Sequence, residues 1–247
     1  MLPNLTGLLW LSLMLGPLFI LQQKLHHEMQ VLLFLITSRV NVSIVIFSII
    51  FFPGILLHEG SHYVMARLLG VRTGKFSLIP RLDEQGRLQL GYVETARTDW
   101  LRDALIGSAP LIFGGCVVAY IGLVHLGLPD LWMAYEFGAY PGLFESLHNL
   151  TLPDDFWIWF YLALVVSSTM LPSASDRRAW LPLGFIFLLL FLAGMYFGAG
   201  PWMSENLAES LNHIFLSLAY VFGISVLVHA VFLPPLWFSR KLLEWLL

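Results

Sequence analysis

Charge is what this sequence lacks. Charged residues make up only 12% of its 247 positions, 13 Lys and Arg against 16 Asp and Glu, while hydrophobic residues make up 58%. A soluble domain carries about a quarter charged residues, and the mean hydropathy of +0.77 puts the chain well outside that class. There is no basic patch, which excludes nucleic acid as a partner. Cysteine is nearly absent: Cys116 stands alone in an apolar run. That excludes a disulfide framework and a thiolate metal site, and leaves Cys116 as a small packing residue. The first apolar run, Leu5 to Gln22, lacks a basic leading segment and a small-residue cleavage site, so it reads as a retained span and not a secretion signal.

What the chain has instead is long apolar runs. A helix needs about 20 apolar residues to cross the hydrocarbon core. Six runs qualify: Leu5–Gln22, Val42–Leu69, Ala104–Leu128, Phe156–Pro172, Trp180–Gly198 and Leu211–Leu233. The expected fold is an all-α polytopic membrane protein of about six transmembrane helices embedded in the lipid bilayer, with no soluble domain between them. Met29 to Thr37 is too short to span and reads as an interfacial helix or a continuation of the first. Residues 1–41 form an N-terminal helix with this segment, 42–178 a core of three spans, and 179–247 the C-terminal helices.

Short loops on the cytoplasmic side carry an excess of Lys and Arg. Placing both termini in the cytoplasm leaves eleven basic residues inside and only Lys24 and Arg39 outside. The second span then runs inward. The 27 residues between the third and fourth spans carry Trp132, Tyr135, Phe137, Tyr140 and Phe144 and no Lys or Arg, as a segment lying along the outer membrane surface would.

Inside the second span the sequence reads His58-Glu59-Gly60-Ser61-His62. Residues four apart share a helix face, so both imidazoles can ligate one zinc ion while Glu59 stands beside its open position. Zinc brings the pKa of water toward neutrality, and the glutamate is placed to move the proton. Three ionisable groups in a membrane span are costly without a function. Pro53 and Gly54, one turn upstream, are positioned to kink the helix.

A catalytic zinc takes a third protein ligand, expected near the cytoplasmic end of a neighbouring span. Asp176, after Leu171-Pro172, meets that demand. Glu94, Asp99 and Asp103 are on the same side and stay open. Glu136, Glu145, Asp154 and Asp155 fall on the other side, and His125, His213 and His229 are isolated and left unassigned.

Between the second and third spans, Phe76–Ile79 and Arg87–Val93 read as short strands around a turn at Asp83-Glu84-Gln85-Gly86. Such a hairpin offers an edge for strand addition by an unwound substrate, with Gly91 allowing close backbone approach and Tyr92 anchoring the hairpin at the interface.

Four segments together resemble the site-2 protease family of intramembrane zinc metalloproteases: the HExxH helix continuing to Arg72, Gly91-Tyr92-Val93, Gly107-Ser108-Ala109-Pro110, and the stretch from Pro172 to Asp176. They cover about half the chain. The resemblance implies zinc held by His58, His62 and Asp176, Glu59 as general base, and a membrane-associated β-hairpin holding substrate at Gly91, Tyr92 and Val93. Thr169 stands where the family carries an asparagine three residues before the proline, a position that the resemblance assigns to substrate contact. Asp176-Arg177 replaces the family's aspartate-glycine pair. The implied activity is hydrolysis of peptide bonds within or near transmembrane segments of membrane-protein substrates. No regulatory domain is inserted, so any regulatory partner is a separate chain. The alternative function is a non-cleaving relative that binds transmembrane helices as a chaperone or sensor. A metal transporter is disfavoured, since one HExxH cluster supplies no chain of ligands across the bilayer.

Overall fold

A computed structural model describes residues 6–82, 88–128 and 154–247, with only the backbone at 81–82 and 88–89. The expected turn at Asp83–Gly86, the aromatic surface segment, Glu136 and Glu145 lie outside these residues. The described chain is overwhelmingly helical. Its elements are α1 (Thr6–Thr37), α2 (Val40–Ile50), α3 (Phe52–Leu68), β1 (Thr73–Ser77), β2 (Arg81–Leu82), β3 (Leu88–Gln89), β4 (Tyr92–Thr95), α4 (Trp100–Tyr120), α5 (Phe156–Thr169), α6 (Trp180–Tyr196), α7 (Gly200–Asn206) and α8 (Ala208–Leu246). α4 continues into a π-helical turn at Ile121–His125.

Among the described residues, three helices are long and apolar enough to cross a membrane: α1, α4 with its π turn, and α8. The number rises to five if the bent pairs α2–α3 and α6–α7 each count as one span, while α5 is a shorter apolar helix. All of α6 is unburied within the protein. This suits a lipid-facing helix, since apolar side chains turned outward meet hydrocarbon there and not water.

The sequence-based expectations meet the structure at four points. Of the two readings of Met29 to Thr37, the continuation is the one observed: it is the last part of one 32-residue α1. The run Val42–Leu69 is not one straight span. It breaks at Phe51 and bends by 72°, because Pro53 at the start of α3 has no N–H to continue the ladder from α2. The hairpin is built as two ladders: β1 pairs antiparallel with β4, Phe76 opposite Val93, and β2 pairs with β3. The strand bounds differ from the expected Phe76–Ile79 and Arg87–Val93, and the β1–β4 register shifts between Thr73 and Phe76.

The fourth concerns topology. α1 packs mainly on α8, and the two run parallel. The Gly7 N–H donates to Asn212 near both starts at 2.7 Å, and Glu28 pairs with Arg240 further along. Six alternating crossings would make the first and last helices antiparallel. Where α1 and α8 both cross, parallel packing puts the two ends of the chain on opposite sides, against the expectation that both lie in the cytoplasm. The Glu28–Arg240 pair aligns Arg240 and Lys241 with the segment from Lys24 to Arg39.

Within the core, α3 and α5 run parallel and α4 antiparallel to both, and close approach depends on small residues. A Cβ on Gly54 would strike the Val165 carbonyl, and one on Gly107 the Asp176 carbonyl. One on Gly114 would lie 2.6 Å from Met170. Phe47, Phe51, Ile55, Val118, Phe160 and Val165 fill the core between these helices.

Candidate metal centre

His58 and His62 project from one face of α3, and His62 and Glu59 are buried. Each imidazole is held by its inner nitrogen. His58 Nδ1 lies 2.6 Å from the Thr169 carbonyl of α5, and His62 Nδ1 lies 2.8 Å from the Ile106 carbonyl of α4. A carbonyl only accepts, so both Nδ1 atoms carry the hydrogen and donate. In the neutral rings both Nε2 atoms are then bare lone pairs, and they face each other at 3.3 Å.

The third member arrives from the turn after α5. The Ser173 N–H donates to Asp176 Oδ2 at 2.7 Å, and the Asp176 N–H donates back to Ser173 Oγ at 3.3 Å. Gly107 lets the Asp176 backbone lie directly on α4. Trp180 Nε1 donates to the Ala104 carbonyl at 3.3 Å and fixes the far side of the same turn. The carboxylate thus sits 3.7 Å from His58 Nε2 and 3.5 Å from His62 Nε2. The Ser173 N–H, donating to Oδ2, favours the carboxylate form of Asp176. That group is an anion at neutral pH.

Three acceptors therefore converge, and they repel unless a cation lies among them. One proton bridges a single pair, whereas a divalent ion engages all three. Two donors each about 2.0–2.1 Å from a tetrahedral zinc stand about 3.3–3.4 Å apart. The observed separations of 3.3, 3.5 and 3.7 Å fit that donor set with little adjustment. Among the described residues this is the one cluster of three such ligand types within reach of a single ion.

The alternatives for the third position are engaged elsewhere or stand apart. Asp99 caps α4, accepting from the Arg102 N–H at 3.0 Å. That hydrogen bond holds its carboxyl below the ordinary value. Glu94 accepts from the Lys75 N–H at 3.1 Å. Asp103 lines the same cavity without joining the cluster. Asp155 accepts from Trp159 Nε1, far from the cluster in the fold.

The cluster opens into a cavity of about 1040 Å³ whose wall also includes Glu59, Thr169 and the segment from Leu90 to Thr95. Gly91 is pressed against Glu59, where a Cβ would lie 2.7 Å from Cγ. Tyr92 and Val93 follow on β4, with Tyr92 opposite Ser77 and Val93 opposite Phe76. Thr169 turns its hydroxyl to the Val165 and Val166 carbonyls of its own helix, so its evident work is to hold His58 through the main chain. Sequence reasoning missed Gln22 and His26, which α1 brings to the cavity wall. Neither residue carries a motif. Their one sequence signal is polarity within an apolar helix. Of the histidines left unassigned, His229 is bonded to Ser168 and Ser225, His125 stacks on Trp159, and His213 lies beside Glu209. No family model matches the chain, and no curated protein or solved structure matches it either.

Proposed function

We propose that this chain is an intramembrane zinc metalloprotease that hydrolyses peptide bonds within or near transmembrane segments of membrane-protein substrates. The observation carrying the reading is the convergence of three lone-pair donors, His58, His62 and Asp176, with both imidazoles locked by Nδ1 so that Nε2 faces the centre. The sequence resemblance to site-2 proteases supports the same assignment. Zinc held by these residues would supply a Lewis acid that polarises the scissile carbonyl and makes water a nucleophile at neutral pH.

Everything else falls to the protein. Glu59, in the same cavity, takes a proton from the attacking water on a carboxylate oxygen and returns it to the leaving amide nitrogen. The carbonyls of Thr169 and Ile106 fix the tautomer and orientation of the two histidines, as partners behind metal-binding imidazoles do. A helical substrate hides its backbone, so the segment unwinds before cleavage. The wall from Gly91 to Val93 supplies backbone partners to the exposed strand. The end of the bundle bearing Arg67, Arg72, Lys75, Arg97, Arg102, Arg177 and Arg178 faces the cytoplasm under the loop-charge rule, and cleavage occurs toward that side.

The deciding experiment measures bound zinc in the purified protein and cleavage of a reporter transmembrane segment. We expect about one zinc per chain at the tetrahedral three-ligand site, loss of cleavage on chelation, and recovery on adding zinc back. A metal-free protein that still cleaves would overturn the reading.

Gly91 offers a second test. Gly91→Ala puts a methyl group within 2.7 Å of Glu59 Cγ, and the carboxylate must shift. Misplacing a catalytic group by about 1 Å costs up to roughly 100-fold, so cleavage should fall by at least about tenfold while zinc content stays constant. Wild-type cleavage by Gly91→Ala would show that this wall does not set the position of Glu59.

A further inference from the structure

His26 is a polar residue in a long apolar helix, and it lines the cavity that holds the metal cluster. Its ring stands edge-on to Phe47 and Phe51, with centroids 5.5 and 5.2 Å away, and those two rings stack on each other at 4.4 Å. The imidazole is thereby fixed against the break between α2 and α3, and it forms part of the wall of the metal cavity beside Gln22. Gln22 is already engaged, donating to the Ser168 carbonyl. His229, also buried, is bonded at both nitrogens. His26 differs: among the described residues, its Nε2 is the one buried side-chain nitrogen or oxygen with no hydrogen-bond partner.

A buried polar atom without a partner is destabilising, and such groups are rare enough to call for a physical reason. An unwound peptide has the complementary defect. Its N–H and C=O groups leave the helix ladder and enter a site with little water, where each needs a partner. We infer that His26 is a substrate-binding residue whose imidazole hydrogen-bonds a backbone peptide group of the unwound segment, on the α1 wall of the cavity, complementing the β4 wall. A half-turn about χ2 exchanges Nε2 with Cε1 and Nδ1 with Cδ2 without changing the outline of the ring that packs on Phe47 and Phe51, and His26 already lines the cavity. A neutral imidazole serves either as donor to the carbonyl or as acceptor from the amide.

This inference rests on the proteolytic reading, and the test separates the two. The full chain, purified in detergent micelles, is assayed for binding and cleavage of a fluorescent transmembrane peptide as wild type, His26→Phe and His26→Gln. Phenylalanine keeps the aromatic packing and removes the nitrogen; glutamine restores a donor and an acceptor. We expect His26→Phe to keep the zinc content and melting temperature of wild type, to raise Kd and KM about tenfold, the value of one well-formed hydrogen bond, and to change kcat by less than about twofold. His26→Gln should recover most of the affinity. Wild-type Kd and KM in His26→Phe would overturn the inference, as would a His26→Gln protein as impaired as His26→Phe, which marks a packing role. If the wild type binds the peptide without cleaving it, the proteolytic reading fails while the Kd comparison still decides for or against His26. A photo-crosslinking peptide provides a measure independent of any change at His26. Captured by Glu59→Gln protein, it should label α1 at or beside His26, and labelling that spares α1 would overturn the inference.

Discussion

Glu59→Gln is expected to bind zinc as the wild type does and to lose roughly 100- to 10,000-fold in cleavage, the range for removal of a general acid–base group. The two halves of this expectation come from different atoms. The ion-binding set consists of His58, His62 and Asp176, and Glu59 is outside it, so an amide at position 59 leaves the donors and their Nδ1 anchors in place. Glutamine nearly matches glutamate in volume and preserves the contact with Gly91. Its amide, however, cannot take up the proton of the attacking water. His62→Ala is the complementary change: zinc should be lost together with activity, because only two donors remain. Zinc analysis alongside single-turnover cleavage distinguishes the outcomes. Retained activity in Glu59→Gln would remove the proposed mechanism, and loss of zinc in the same variant would move Glu59 from proton carrier to ligand.

How far the sequence could be read depends on the range of the interactions concerned. The pair His58 and His62 was legible because four residues is one helical turn, a local property that α3 obeys. Asp176 was legible as a candidate because chain direction limits which loop ends meet. Its contact with both histidines depends on Gly107 and Ser173 as well, which no spacing rule identifies. The break at Phe51 follows from Pro53, yet its angle of 72° is not a property of the local sequence, and the rings of Phe47 and Phe51 at the break meet His26 of α1. The parallel pairing of α1 and α8 was not legible at all. It rests on contacts more than 200 residues apart, such as Gly7 with Asn212, and loop charges carry no information about them. For the same reason Gln22 and His26 were missing from the expected site. Polarity alone in an apolar helix does not say which cavity the residue reaches.

Asp176→Ala is expected to weaken zinc binding by more than the roughly 10- to 100-fold that loss of an outer-shell partner costs, because it removes a donor and also the anion that balances the ion's charge. The effect should separate from three nearby acids. Asp99→Ala removes the cap of α4 and should lower stability with zinc affinity unchanged, since the carboxylate accepts from the Arg102 N–H and is no member of the cluster. Glu94→Ala breaks a hairpin contact with Lys75. Asp103→Ala changes the cavity wall without touching the donors. Competition with a zinc chelator of known affinity, run on the four variants in the same micelles, orders them directly. Asp176→Asn sharpens the test: an amide oxygen can still donate a lone pair but brings no charge, so its affinity should fall between wild type and Asp176→Ala. Unchanged zinc affinity in Asp176→Ala, with a fall in Asp103→Ala or Glu94→Ala, would transfer the third position to that acid. Such a result would require the turn from Ser173 to Asp176 to swing away from α4, breaking the approach of the Asp176 carbonyl to Gly107. Gly107→Val gives an independent check on that geometry: it should push the turn off α4 and weaken zinc binding in the same direction as Asp176→Ala, without altering any candidate ligand.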